Sequence, residues 1–336
     1  MKKKDKITLI IGVAVIIICA IAVIFMLDRF AVIRIFPRPV PKQEKTIQLD
    51  DLGSADMPVG NSLVVTIFCG DDKSSWDFGN ENDRALRERD FAALKIAAEW
   101  LGKQADNYNK TFSLVYPTDE KSDLYYEADF KGIICNITEN PDNTECWEYI
   151  DSKIDSAGLK NKYNCDNILY LLFINEYDDD TENDDNLNID PTAECIYDKE
   201  KKYNYEFCRL PSILNGEHLS PAVIAHEIIH LYGAPDLYAF DANDINYGVT
   251  VDFIEYCRKN VPQDIMLLIY DPETGEQLPD RITQGITDIT AYYIGWLDTP
   301  PDCIDEYLLV HSQHEYKNGQ GVNSQSVSYT HLRAHE

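Results

Sequence analysis

The stretch AHEIIHLYGAPDLY, residues 225–238, sets His226 and His230 four positions apart with Glu227 between them. On an α-helix, residues four apart share one face with Cβ atoms roughly 5–6 Å apart, so two imidazoles can converge on one cation. Zinc fits such a pair, because its bonds to imidazole nitrogen run about 2.0–2.1 Å. Glu227, one position on from His226, projects about 100° further around the helix, beside the cation rather than at it. Zinc lowers the pKa of water in its open position to about 7. A carboxylate placed like Glu227 can take that proton and return it to a leaving group. The chemistry these letters could perform is metal-assisted hydrolysis.

A catalytic zinc usually takes three protein ligands and leaves one position for water. Asp236 leads for the third. Gly233 can adopt the left-handed conformation that ends a helix and Pro235 cannot continue one, so the chain can turn back under the metal soon after His230. A Pro-Asp pair is also ordinary turn chemistry, and Glu255, in the helical pattern VDFIEYCRK, competes for the third place. An H-E-x-x-H pentad can arise by accident on an amphipathic helix, but Gly233 and Asp236 at their spacing narrow that explanation.

The extended pattern H-E-x-x-H-x-x-G-x-x-D resembles the metzincin metallopeptidases, whose long consensus ends in His or Asp. It looks like the Asp variant found in the snapalysins, and the G-x-P-D-x-Y continuation is similar to immune inhibitor A-type peptidases. The resemblance implies a zinc endopeptidase in which His226, His230 and Asp236 hold Zn2+ and Glu227 is general base and acid. It also implies an α/β, zincin-like α+β fold, a mixed twisted sheet packed on helices, with a methionine-containing turn beneath the metal. Met266, in QDIM, is the only methionine after the motif and the candidate for that turn. Several metzincins carry Tyr two residues after the Met, whereas Leu268 stands there and Tyr270 follows. A tyrosine assisting the transition state is therefore unassigned among Tyr232, Tyr238, Tyr247 and Tyr270. A zinc amidase acting on cell-wall peptides would use the same chemistry. An envelope binding protein retaining a structural metal site would have no need of Glu227.

The elements that must position these residues follow from apolar periodicity. SLVVTIFC at 62–69, FSLVY at 112–116 and NILYLLFI at 167–174 read as strands. Between the first two, residues 83–108 place Phe91, Leu94, Ala98 and Leu101 on one helical face, and a further helix is expected around Cys146 to Ile154. AECIYD and YEFCRL form an expected hairpin whose edge could bind substrate as an added strand. Ser220 and Pro221 then open the metal helix as N-cap and first-turn proline. One domain over 61–303 accommodates all of these, with 304–326 as domain end or linker.

Residues 7–27, ITLIIGVAVIIICAIAVIFML, carry no charge and follow four lysines in the six-residue tail. At 1.5 Å per residue such a run spans a hydrocarbon core of about 30 Å, and its length exceeds the roughly 7–15 apolar residues of a cleavable signal. A single-pass anchor is expected, followed by a proline-rich stalk over 28–60. Arg29, Arg34, Arg38 and Lys42 nearly balance the leading lysines, so flanking charge decides little about orientation. Of nine cysteines, Cys19 lies within the anchor. The remaining eight are an even number without a C-x-x-C, as expected for up to four disulfides in a domain outside the cell.

The chain carries 30 basic against 58 acidic residues, a formal charge of −28. Such a surface repels nucleic acid and anionic lipid, and a protein or peptide substrate is the expected partner. The acidic run at 176–190 alternates Asp178, Asp180, Glu182 and Asp184 in the manner of calcium ligands. It lacks the glycine of a calcium loop, so a solvated loop is the favoured reading. VSYTHLRAHE, at 327–336, resembles translated adaptor or vector sequence, so His331 and His335 are not counted as ligands.

Overall fold

The computed structural model describes residues 53–135, 143–177, 192–198, 202–214, 216–238, 249–307 and 309–314. Strand β1 (Gly60–Gly70) organises a six-stranded sheet. It pairs in parallel with β2 (Phe112–Val115) along its first part, with β3 (Tyr125–Asp129) along its second, and with β4 (Asn167–Ile174) on the other side. β4 pairs in parallel with β6 (Phe207–Pro211), and β5 (Glu194–Ile196) closes the edge antiparallel to β6. The sheet is mixed and lies among helices, which gives the α/β class. β3 was not expected: YYEAD buries only Ala128, which leaves too little alternation to read as a strand.

β1 and β4 are near-continuous apolar runs because the sheet is covered on both faces. Alternate side chains of β1 divide accordingly. Val64 and Phe68 join one core with Leu94 and Leu101 of α1 (Glu81–Asn107) and with Ile224 and Ile228 of α4 (Pro221–Leu231). Leu63, Val65 and Ile67 join another with Trp147 of α2 (Thr144–Lys153) and Leu159 of α3 (Ser156–Tyr163). α1 starts where it does because the Asn80 side chain accepts from Asn82 N, and Glu81 and Asp83 complement the helix dipole in the first turn. The helix is pinned to the chain beyond Met266 by Trp100 Nε1 donating to Gln284 O at 3.2 Å and Tyr108 Oη to Ile286 O at 2.9 Å.

Packing begins upstream of the expected boundary at Asn61. Ala55 is buried and its N–H donates to Leu231 O at 2.9 Å, while Ser54 and Glu206 exchange two hydrogen bonds. It also continues past 303: Leu309, Ser312 and His314 are buried, and Ser312 Oγ donates to Tyr293 O at 2.8 Å. The expected anchor, residues 28–52 of the stalk, the acidic run from Asp178, Tyr247 and the C-terminal tail lie outside the described residues. Among the described residues, no helix is long and apolar enough to cross a membrane.

The structure shows no disulfide among the described cysteines, where an even number led to the expectation of up to four. All eight of these cysteines carry free thiols, seven of them buried. An even number carries no geometry, and most of these residues serve as small apolar side chains on separate elements. Burial pushes the Cys135 thiol up to about 11 and raises Cys208, so these thiols stay protonated and unreactive. Cys195 and Cys208 do face each other in register across β5 and β6.

Candidate metal centre

α4 is apolar almost all round, and every residue from Pro221 to Ile229 is buried. Ser220 caps it by accepting from Val223 N at 3.4 Å, and Pro221 occupies the first turn. A helix enclosed in this way holds its side chains still, and the two polar groups at its centre, His226 and Glu227, are only 3% and 5% exposed. Burying them is costly unless each polar atom has a partner.

Both imidazoles are fixed by main-chain carbonyls. His226 Nδ1 lies 2.9 Å from Ile265 O and His230 Nδ1 lies 2.8 Å from Ala234 O. A carbonyl accepts only, so each Nδ1 carries the proton and each Nε2 presents a lone pair. The two Nε2 atoms are 3.1 Å apart, with rings nearly perpendicular at 89°. Asp236 Oδ1 lies 3.1 Å from the first and 3.2 Å from the second. Three acceptors thus form a triangle whose edges approach the roughly 3.3 Å separation of ligands on a tetrahedral zinc with bonds of 2.0–2.1 Å.

Electrostatics mark the same gap. Burial alone would raise the Asp236 carboxyl, but His230 and His226 hold it well below the usual carboxylate range. Burial opposes protonation of His230, yet Asp236 beside it outweighs that and lifts its pKa to about 9. Without a metal the triangle therefore takes up a proton. At the centre, Glu227 Oε2 is buried without a hydrogen-bond partner, and Asp236 Oδ1 faces the two imidazole Nε2 atoms. Orphaned acceptors in a closed site are costly, and a cation offsets that cost. The donor set of two imidazoles and one carboxylate is one that zinc accepts, so the residues fit the metal.

The end of α4 builds its own support. Gly233 has φ 101°, its N–H donates to His230 O at 2.8 Å, and Ala234 N donates to Ile229 O at 3.4 Å. This double closure is the Schellman arrangement. It turns the Ala234 carbonyl back to His230 Nδ1 and delivers Asp236 two residues later. A Cβ on Gly53 would lie 2.4 Å from Gly233 N, so the upstream segment packs backbone to backbone against this turn.

Met266 is fully buried where the resemblance implied a methionine turn, and its carbonyl accepts from Leu237 N at 2.9 Å. The tyrosine candidates separate. Tyr232 is turned into the core, edge-on to Phe112 at 5.9 Å. Tyr238 packs on the His226 ring at 6.0 Å, and its hydroxyl lies close enough to Asp236 to hydrogen-bond and to feel Glu227. Tyr270 is 40% exposed and adjoins Tyr238. Among the described candidates, Tyr238 is thus the tyrosine beside His226 and Asp236. Sequence reading named it among four without separating them.

Among the described residues, His226, Glu227 and His230 group as metal-ligating side chains, Asp236 joins through Oδ1 at 3.1 and 3.2 Å from the two imidazoles, and Glu255 of α5 (Val251–Asn260) belongs to neither set. Glu227 lies one helical step from the triangle and has the raised pKa of a buried carboxyl, which suits a base more than a ligand. Asp236→Ala is expected to weaken zinc binding by more than the roughly 10–100-fold that outer-shell changes cost. Glu255→Ala should leave zinc stoichiometry at the parent value, and metal analysis of the two purified variants checks this. A cavity lined by Lys73, Asn80, Arg89 and His218 among others shares no residue with the metal group.

Comparison with protein-family models found no match, and neither did comparison with curated proteins.

Proposed function

We propose that this chain is a zinc-dependent metalloendopeptidase of metzincin type, with a zincin-like catalytic domain carried outside the cell on the anchor at 7–27. The observation that carries the reading is the triangle of His226 Nε2, His230 Nε2 and Asp236 Oδ1, with the unpartnered Glu227 Oε2 beside it. Bound there, zinc would supply an activated water and polarise the scissile carbonyl.

Glu227 takes the proton from the attacking water and passes it to the leaving amine nitrogen. Its burial raises its affinity for that proton. The hydroxyl of Tyr238, beside Asp236 and Glu227, is placed to donate to the oxygen that gains charge as the carbonyl becomes tetrahedral. β5 is an edge strand beside α4, tied to it through Cys208 of β6, whose thiol donates to Glu227 O at 3.4 Å. Its outer edge, unpaired among the described residues, supports substrate binding as an extended strand.

Incubating the zinc-loaded full chain with a fluorogenic peptide library tests the reading. Cleavage should vanish with a chelator and return with added zinc. Failure to cleave any peptide by protein containing one equivalent of zinc would sink the peptidase assignment while leaving the metal site intact.

A further inference from the structure

The turn over residues 263–266 supplies a consecutive pair of carbonyls to the metal group. Ile265 O accepts from His226 Nδ1 at 2.9 Å, and Met266 O accepts from Leu237 N at 2.9 Å, directly after Asp236. Two of the three ligands are therefore oriented by backbone atoms of one turn. That turn has little regular structure of its own. Its order comes from Asp264, which is fully buried.

The Asp264 carboxylate gathers donors from both sides. Oδ1 accepts from Met266 N at 2.8 Å and Thr290 Oγ1 at 2.8 Å, and Oδ2 accepts from Thr287 N at 3.0 Å and from Thr287 Oγ1. Thr287 is the N-cap residue of α6 (Asp288–Tyr293) and makes no side-chain cap bond of its own, so Asp264 satisfies that helix end from outside. Two further main-chain bonds fix the turn from its other side, Ile265 N to Gly285 O at 3.0 Å and Gly285 N to Gln263 O at 2.9 Å. The site needs an acceptor with no proton to give. An ionised carboxylate offers about four lone-pair positions, whereas an amide would aim its N–H groups at the two donors that meet one of the oxygens.

We infer that Asp264 is a positioning residue for the metal centre: it locks the turn whose consecutive carbonyls set the ring of His226 and the backbone of Asp236. The residue touches neither metal nor substrate. It acts as an outer-shell partner one step beyond the usual one, and outer-shell changes typically cost 10–100-fold in metal affinity or activity. The inference rests on the metal assignment above but not on the substrate class.

The test measures zinc affinity by chelator competition, and the absorption spectrum of the cobalt-substituted protein, for the full chain and its variants. Asp264→Asn should remain folded by circular dichroism, lose about 10–100-fold in zinc affinity and shift the cobalt spectrum. Thr290→Val should show a smaller loss of the same kind, and Thr290→Ser, which keeps the hydroxyl, should return to the parent value. Should Asp264→Asn fail to fold, the two Thr290 variants decide. Folded Asp264→Asn or Thr290→Val with the parent's zinc affinity and cobalt spectrum, even at a lower melting temperature, would overturn the inference and leave Asp264 a purely structural residue. A parent chain that binds no zinc overturns it together with the metal centre. A parent that binds zinc but cleaves no peptide removes only the peptidase reading, because affinity and spectrum remain as readouts.

Discussion

Glu227→Gln should retain zinc and fold while losing about a thousandfold in kcat for peptide cleavage, within the 10²–10⁴ range of general acid–base catalysis. The amide has the size and shape of the carboxylate but cannot accept a proton at neutral pH. On the proposed assignment the ligands are His226, His230 and Asp236, so metal content should stay at one equivalent per chain. Stability should not suffer either. Glu227 is 5% exposed, burial raises its pKa, and Oε2 has no hydrogen-bond partner, so a charge at that position is disfavoured in the parent. A neutral amide avoids that cost. Such a variant, with its metal in place, a melting temperature at or above the parent's and hydrolysis nearly absent, separates a catalytic group from a structural one. Equal turnover in parent and variant would remove Glu227 from the chemistry. Loss of zinc in the variant would instead make it a ligand.

Much of this site could be read from letters because its parts are local. Ser220 and Pro221 announce the start of α4, the spacing of His226 and His230 puts them on one face, and Gly233 with Pro235 signals the turn that delivers Asp236. The strands buried on both faces, β1 and β4, were equally legible, since SLVVTIFC and NILYLLFI are apolar runs too short for a buried helix. What could not be read is carried by backbone atoms or by distant pairing. The carbonyls of Ala234, Ile265 and Met266 orient the ligands, and a carbonyl has no letter. Asp264 looks like any loop aspartate until Thr287 and Thr290, far along the chain, are seen to converge on it.

The segment from Gly53 to Pro58 shows the same limit from another side. Its mostly small and polar residues read as stalk, because many of its contacts are made by main chain, among them Ala55 N to Leu231 O and Pro58 O to Trp296 Nε1 at 2.8 Å. α3 and the β7–β8 pair (Ile213–Leu214 and Glu217–His218) carry no clear signal in the sequence because they are short and weakly patterned. The tyrosines illustrate how geometry resolves a choice that composition leaves open. Tyr232 and Tyr238 flank the same Pro-Asp turn, yet one enters the core and the other reaches the metal group.

Stability should fall steadily between about pH 4 and pH 8 through a single side chain, Asp90. It lies on α1, is 2% exposed and accepts from Ser212 Oγ at 2.7 Å. Burial pushes its carboxyl from 3.8 up to about 8, only partly offset by that hydrogen bond. Below the unfolded pKa the group is protonated in both states, and its contribution is fully present. As pH rises the unfolded chain releases the proton while the folded chain keeps it, so stability declines by about 1.4 kcal/mol per unit until the folded group itself ionises. Over the whole window the loss amounts to several kcal/mol, a large share of the roughly 5–15 kcal/mol that holds a domain together. The consequence reaches the metal helix. Ser212 N donates to Ile174 O and Ser212 O accepts from Leu219 N at 3.0 Å, one residue before the Ser220 cap, so Asp90 helps to hold the approach to α4. Asp90→Asn keeps the shape and an acceptor for Ser212 but cannot ionise. Melting curves from pH 5 to pH 9 should therefore converge at the acid end and separate progressively above it, with the variant the more stable. Parallel curves would show that Asp90 is ionised in the folded chain throughout. A variant destabilised equally at every pH would show that the carboxylate is needed for packing rather than tolerated at a cost.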